Sequence, residues 1–282
     1  MSQVNAGQLV TSFSDFVRFV ADGQIQQVIQ DEKKHISELK RICVSNLKKG
    51  DILVKHILPS PKIDNGHYVI ITGQNMFRGL YKLGSPVSVH ATVYLGAIEG
   101  MPGNHFVAHA TMGGVTVINL PEVKDTEQCA YRCFRYQDET YAELVAVIAE
   151  GYVAQRRWNQ KKPDGKTEKF GDYSTPQALW SSLPATWHGF LSDRFNISVP
   201  PASEMSSNWG ANAPTEFFCS DFVVQCLKAA SETREEQGAV HHPINIDPKK
   251  VTPMSLEDSL IKGCNSNGEW EDLGVLEVPI PQ

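Results

Sequence analysis

Three residue types capable of acyl-transfer chemistry occur at informative places in this chain of 282 residues: two histidines on strand-like runs and one cysteine at a helix start. His90 lies in Ser88-Val89-His90-Ala91-Thr92-Val93-Tyr94-Leu95-Gly96, and His109 in His105-Phe106-Val107-Ala108-His109-Ala110-Thr111, with a loop containing Gly, Pro and Asn between them. Two strands joined by a hairpin fit this text. Because strand side chains alternate, His90, Thr92 and Tyr94 share one face, and His105, Val107 and His109 share one face of the partner. A hairpin symmetric about its Gly100 to Met101 link sets His90 directly opposite His109, with Cβ atoms ~5 Å apart. Facing imidazoles suit a metal site, or a base whose tautomer is fixed by an orienting neighbour.

Cys219 supplies a third member. It falls in the first turn of a helix read from Thr215 through Phe218, Phe222, Val223, Cys226 and Leu227. There the helix dipole and open N–H groups favour the thiolate and lower a thiol pKa. Cys219 also shares a helical stripe with Phe222, Val223 and Cys226, so taken alone it reads first as a small core residue. Likewise His90 alone reads as a hydrogen-bonded core histidine. The catalytic reading rests on the three together.

The elements that must position them follow from periodicity. Residues 12 to 47 carry apolar positions at helical spacing, as two helices or one broken near Gly23, and residues 1–47 are read as an N-terminal helical extension. At Lys48-Lys49-Gly50-Asp51 the pattern changes to short β-branched or aromatic runs bounded by Gly, Pro or Asn: Asp51 to Ile57, His67 to Thr72, Val87 to Leu95, His105 to Thr111, Val115 to Leu120 and Ala130 to Tyr136. Such closely spaced strands imply an antiparallel sheet. Asp138 caps a helix whose buried face is Tyr141, Leu144, Val145, Ile148, Tyr152 and Val153. Residues 158–213 are irregular and hold Trp158, Tyr173, Trp180, Trp187 and Trp209, an elaboration able to wall a substrate cleft. The tail after Ser231 reads as loop.

The Gly50-Asp51-Ile52-Leu53 entry, the His90-Ala91-Thr92-Val93-Tyr94-Leu95-Gly96 strand, Val107-Ala108-His109-Ala110 with Gly113-Gly114-Val115, and Phe218-Cys219-Ser220-Asp221-Phe222-Val223 together resemble the NlpC/P60 cysteine peptidases. The order His, His, Cys resembles their circularly permuted papain-like branch, which includes the lecithin:retinol acyltransferase-like proteins. The resemblance spans roughly residues 50 to 230 and leaves the N-terminal helices and residues 158–213 unmatched. Two features depart from it: a longer loop between the histidine strands, and Ala91 in place of the small Val/Gly pair. It implies an α+β fold in which residues 48–282 form the permuted papain-like catalytic domain. It also implies a cysteine hydrolase, amidase or peptidase, with Cys219 as nucleophile, His90 as base and His109 as the residue orienting His90. No metal and no organic cofactor are implied. The substrate is a peptide, amide or ester whose acyl group passes through a Cys219 thioester, with the oxyanion held partly by the Cys219 N–H. The rivals are an acyltransferase on the same thioester, a non-catalytic binding protein on the same fold, and a zinc site of His90, His109 and Cys219. The last lacks any local ligand pair such as C-x-x-C.

Other residues read as structural. Cys129 and Cys133, four apart, make a poor metal pair. His241 and His242 precede Pro243 in a solvated turn. Arg156, Arg157, Lys161 and Lys162 form an exposed face, with a peripheral membrane or protein partner as the lesser reading, and Asp221 reads as a surface acid matched to the helix dipole.

Composition bounds the rest. A hydrophobic fraction of 41% supports a sizeable core. The net charge of -6 and pI near 5.9 argue against a broad nucleic-acid-binding face. Without a long apolar run or an N-terminal signal pattern, the expectation is a protein with no transmembrane segment, cytoplasmic or exported without a cleavable signal. Six cysteines without C-x-x-C are expected to be reduced thiols.

Overall fold

The computed structural model describes residues 25–59, 65–77, 83–97, 104–111, 114–120, 128–159, 172–173, 216–236, 244, 246–247, 251–266 and 268–277. The chain is α+β, with one six-stranded antiparallel sheet carrying helices. In chain order the elements are helix α1 over residues 25–38, a 3-10 turn at Val44–Asn46, β1 (Ile52–Ile57), α2 (Asn65–Phe77), β2 (Ser88–Ala97), β3 (His105–Thr111), β4 (Gly114–Asn119), β5 (Cys129–Tyr136), α3 (Glu139–Asn159), β6 (Asp172–Tyr173), β7 (Glu216–Phe217), α4 (Cys219–Glu236), α5 (Pro253–Ser266) and β8 (Trp270–Glu277). The sheet runs β4-β3-β2-β1-β5-β8, and β6 and β7 form a separate parallel pair. No helix among the described residues is long and apolar enough to cross a membrane.

Alternation along β1 and β2 divides the sheet into two faces. Ile52, Val54, Ala91 and Val93 point to one face, where they cluster with Tyr141, Val145 and Ala149 of α3, Phe222 and Val223 of α4, and Leu256 and Leu260 of α5. The paired positions Leu53 with Thr92 and Lys55 with His90 point to the other, where Leu53, Tyr94, Val107, Tyr131 and Cys133 cluster with Leu47. Ile25, Ile29 and Ile36 of α1 pack with Tyr68 and Ile71 of α2 over Val87, Val89, Ala130 and Val275. Residues 40–42 bond to the outer strand: Ile42 N donates to Val275 O at 3.0 Å and Val275 N to Lys40 O at 2.7 Å.

Asp51 ties the strand entry to β5. It is wholly buried, accepts the Lys48 N–H at 2.7 Å, and forms a two-pronged pair with Arg135 at 2.9 and 2.7 Å. Gly50 beside it has φ +84°, and a Cβ there would stand 1.9 Å from the Ala142 carbonyl oxygen of α3. The close approach of α3 thus requires glycine at this turn.

Five of the six expected strands form. The sixth, His67 to Thr72, is instead part of α2. Its β-branched text suggests a strand, but Tyr68, Ile71 and Gln74 recur every three residues, and tertiary contacts decide the matter. Tyr68 and Ile71 are buried, and Gln74 donates to the carbonyls of Pro86 at 2.9 Å and Ser88 at 2.7 Å. The Asp138 cap is present, with Tyr141 N donating to its Oδ1 at 3.0 Å. The tail is not a loop after Ser231: α4 runs on to Glu236, and α5 and β8 follow. In β8 the period-two pattern is broken by a bulge opposite Cys133 and Phe134 and by Gly274 at φ +110°, which hides the strand from a sequence reading. The stretch 1–24, the hairpin tip at Gly100 and Met101, most of 158–213, and His241 and His242 lie outside the described residues, as do Gly113 and Lys161 and Lys162.

Candidate active site

The β2–β3 ladder positions the two histidines. Its pairs run from Ala97 with His105 to Val93 with Ala108, with a bulge between Tyr94 and Gly96. Continued one step, this register brings His109 level with Thr92, so the directly opposed arrangement expected from a symmetric hairpin is wrong by two residues. An even slip leaves every side chain on its original face. His90 and His109 therefore stay on one face as diagonal neighbours, and the long imidazoles close the gap: His90 Nε2 lies 3.0 Å from His109 Nδ1, with ring centroids 5.2 Å apart and planes at 82°. That bond occupies Nε2 and leaves Nδ1 as the ring nitrogen of His90 that can serve a nucleophile.

Cys219 arrives from the helix layer. It is the first residue of α4, which starts four residues later than a helix begun at Thr215, because Glu216–Phe217 pair with β6 and Phe218 O accepts the first intrahelical bond, from Phe222 N at 2.9 Å. Both β2 and β3 continue past the last ladder pair, β2 back to Ser88 and β3 on to Thr111. The sulfur stands there, 4.0 Å from the Val89 carbonyl oxygen, and the N–H groups of Ala91, Ser220 and Cys219 itself are directed at it. Val89 and Ala91 flank His90, so the thiol is seated against the peptide groups on either side of the candidate base. Among the described residues no hydrogen bond joins the sulfur to the imidazole ring.

The electrostatics differ from the expected thiolate. Cys219 is 2% exposed, and desolvation pushes its thiol up to about 11 against the opposing pull of the Ala91, Ser220 and Cys219 N–H groups. Burial outweighs the helix terminus. His90 is held well below its usual 6.5, first by desolvation and then by the positive fields of His109, Lys55 and His67. At rest the thiol and the imidazole are both neutral. Arrangements of three or more His, Cys, Asp or Glu side chains suited to a metal ion do not occur among the described residues.

The structure thus brings His90 and His109 into contact on the Lys55 face of the sheet, whereas Cys219 reaches the same segment of β2 from the α4-covered face, so thiol and imidazole are not brought together. Cys129 and Cys133 are both buried on β5, where Cys133 Sγ bonds to the Tyr131 carbonyl at 3.4 Å. Asp221 is not a surface acid: it is 2% exposed and accepts from Gln225 Nε2 at 3.1 Å, because α4 is covered on this side as well. Two basic neighbours of His90 were not singled out. Lys55, 5% exposed, pairs with it from β1, and His67 lies in the first turn of α2. Lys55 had a legible signal, a charge inside the apolar run Ile52-Leu53-Val54-Lys55-His56-Ile57. No family model, curated protein or solved structure matches the chain.

Proposed function

We propose that the protein is a cysteine hydrolase of the amidase or peptidase type, built on a circularly permuted papain-like fold and acting through a Cys219 thioester. The observation that supports this reading is the closeness of both groups to one segment of β2: His90 Nε2 on His109 Nδ1 at 3.0 Å, and Cys219 Sγ against the peptide groups flanking His90.

For Nδ1 of His90 to take a proton, Nε2 must carry hydrogen and donate it to Nδ1 of His109. The two groups, neutral at rest, approach β2 from opposite faces, so the reaction requires the thiol to move into reach of His90 Nδ1; the S–H proton then passes there as the sulfur bonds to the substrate carbonyl carbon. The same proton then goes to the leaving amine or alkoxide, and water resolves the thioester with His90 again as base. The carbonyl oxygen, negative in the tetrahedral intermediate, falls to N–H groups at the α4 start, with Cys219 and Ser220 the nearest donors. The thiol's 2% exposure favours, as second reading, passage of the acyl group to an acceptor other than water. Incubation with electrophilic amide and ester probes tests both: a covalent adduct on Cys219, absent from Cys219→Ala, is expected, and labelling that persists in the variant contradicts the assignment.

A further inference from the structure

β1 and β2 are paired regularly from Ile52 with Val93 to Lys55 with His90, after which His56 pairs with Ser88. Val89 is the extra residue of a bulge, and it is the residue whose carbonyl faces Cys219 Sγ. The bulge turns Ser88 to the helix-covered face beside His56. There a single carboxylate gathers everything around it. Glu257 of α5, with no exposure, accepts from Ser88 Oγ at 2.5 Å and Ser85 N at 2.9 Å on Oε2, and meets His56 Nε2 and Arg132 Nη1, each at 3.1 Å, on Oε1. Arg132 is held in turn by Asp272 Oδ2, and Ser85 Oγ donates to Glu32 Oε2 of α1 at 2.9 Å. One residue further along α5, Asp258 Oδ1 accepts the Leu83 N–H at 3.0 Å.

A buried ionised network of this kind stabilises a fold little better than apolar packing would, and its use is to hold one geometry. Here the geometry held is the start of β2. We propose that Glu257 is a positioning residue for the candidate site: by gripping Ser85 and Ser88 it locks the bulge at Val89, and so sets where the Val89 carbonyl, the Ala91 N–H and the His90 ring stand relative to the Cys219 thiol. This rests on the cysteine-hydrolase reading for its consequence in catalysis, while the effect on the thiol's surroundings stands independently. The titratable groups facing Glu257 are His56 from β1, Arg132 from β5, Asp272 from β8 through Arg132, and Glu32 from α1 through Ser85. All of them lie on the side of β2 away from the His90 ring.

The test compares Ser88→Ala, which deletes the hydroxyl's bonds to Glu257 and His56 and leaves the ion pairs, and Glu257→Gln with Leu260→Ala, which loosens α5 by packing alone. Two quantities are read per folded molecule: the rate of iodoacetamide alkylation of Cys219 across pH by mass spectrometry, and acylation by p-nitrophenyl acetate. Relaxing the bulge takes the Ala91 N–H from the sulfur, so both bulge variants shift the alkylation profile to higher pH and slow acylation on the order of tenfold or more. Leu260→Ala changes neither. Bulge variants that keep the wild-type profile and rate overturn the proposal, even where Cys219 is shown to be acylated. A shifted profile in Ser88→Ala, together with acylation indifferent to His90→Ala, sustains the clamp and overturns the hydrolase reading instead.

Discussion

His90 and His109 are hydrogen-bonded ring to ring at 3.0 Å although they are not cross-strand partners; the register carries His109 to the level of Thr92. The diagonal reach engages His90 Nε2 and leaves Nδ1 as its other ring nitrogen, while Cys219 meets β2 from the α4 side. In the proposed mechanism His109 Nδ1 accepts the hydrogen bond from His90 Nε2. Asn presents an amide oxygen that can fill that role and Ala does not. His109→Asn is therefore expected to keep acylation of Cys219 within about tenfold of wild type, and His109→Ala to lose on the order of a hundredfold, in the range of a misdirected general base. Equal loss in both variants, measured with the same ester, contradicts the acceptor role.

Cys219 reactivity is expected to rise with pH across the alkaline range. Its thiol is pushed up to about 11, so iodoacetamide alkylation in the free protein climbs from pH 7 toward 11 and shows no thiolate plateau at lower pH. The corresponding linkage is that the folded state holds this proton more tightly than the unfolded chain. Stability is therefore lost as pH rises above the usual thiol value of 9.0. Rate measurements by mass spectrometry that level off below pH 7 contradict the neutral resting pair.

Acid acts through His90 in the opposite sense. The folded state holds the imidazole well below its usual 6.5, so the unfolded chain binds the extra proton and stability falls as pH drops through 6.5 toward the folded value. His90→Asn removes that proton sink. The urea midpoint of this variant should decline less than wild type between pH 6.5 and 5; a parallel decline would show that the imidazole is not held neutral.

Gly50 stands at φ +84° against the Ala142 carbonyl oxygen, 1.9 Å from where a Cβ would be. Gly50→Ala adds left-handed strain of about 1–3 kcal/mol and must displace α3, an overpacking term of similar size. A fall of about 3 kcal/mol in unfolding free energy is expected from denaturant titration. A change below about 1 kcal/mol would mean that α3 yields at no cost.

The sheet was legible because β1, β2, β3, β4 and β5 each carry short alternating or β-branched runs with Gly, Pro or Asn at their ends, and the first turn of α3 was legible through Asp138. What the sequence hid has identifiable causes. In α2 the run His67-Tyr68-Val69-Ile70-Ile71-Thr72 has strand composition, and only Gln74, buried against the start of β2, shows why it coils. β8 is masked by its bulge, and α5 by carrying Glu257 and Asp258 on a buried face, where charges usually mean solvent. The three site residues were visible as types at suggestive positions, but the depth of Cys219 was not. Sequence places it at a helix terminus, and the terminus is covered by the sheet.

The central claim is that His90 takes the Cys219 proton as the sulfur attacks a carbonyl. Stopped-flow acylation of Cys219 by p-nitrophenyl acetate at pH 7.5, comparing wild type with His90→Ala, tests it most directly, with the adduct located by peptide mass. The account predicts a Cys219 thioester in wild type and a rate at least on the order of a hundredfold lower without the imidazole. An undiminished rate in His90→Ala, or an adduct on any other residue, would contradict it.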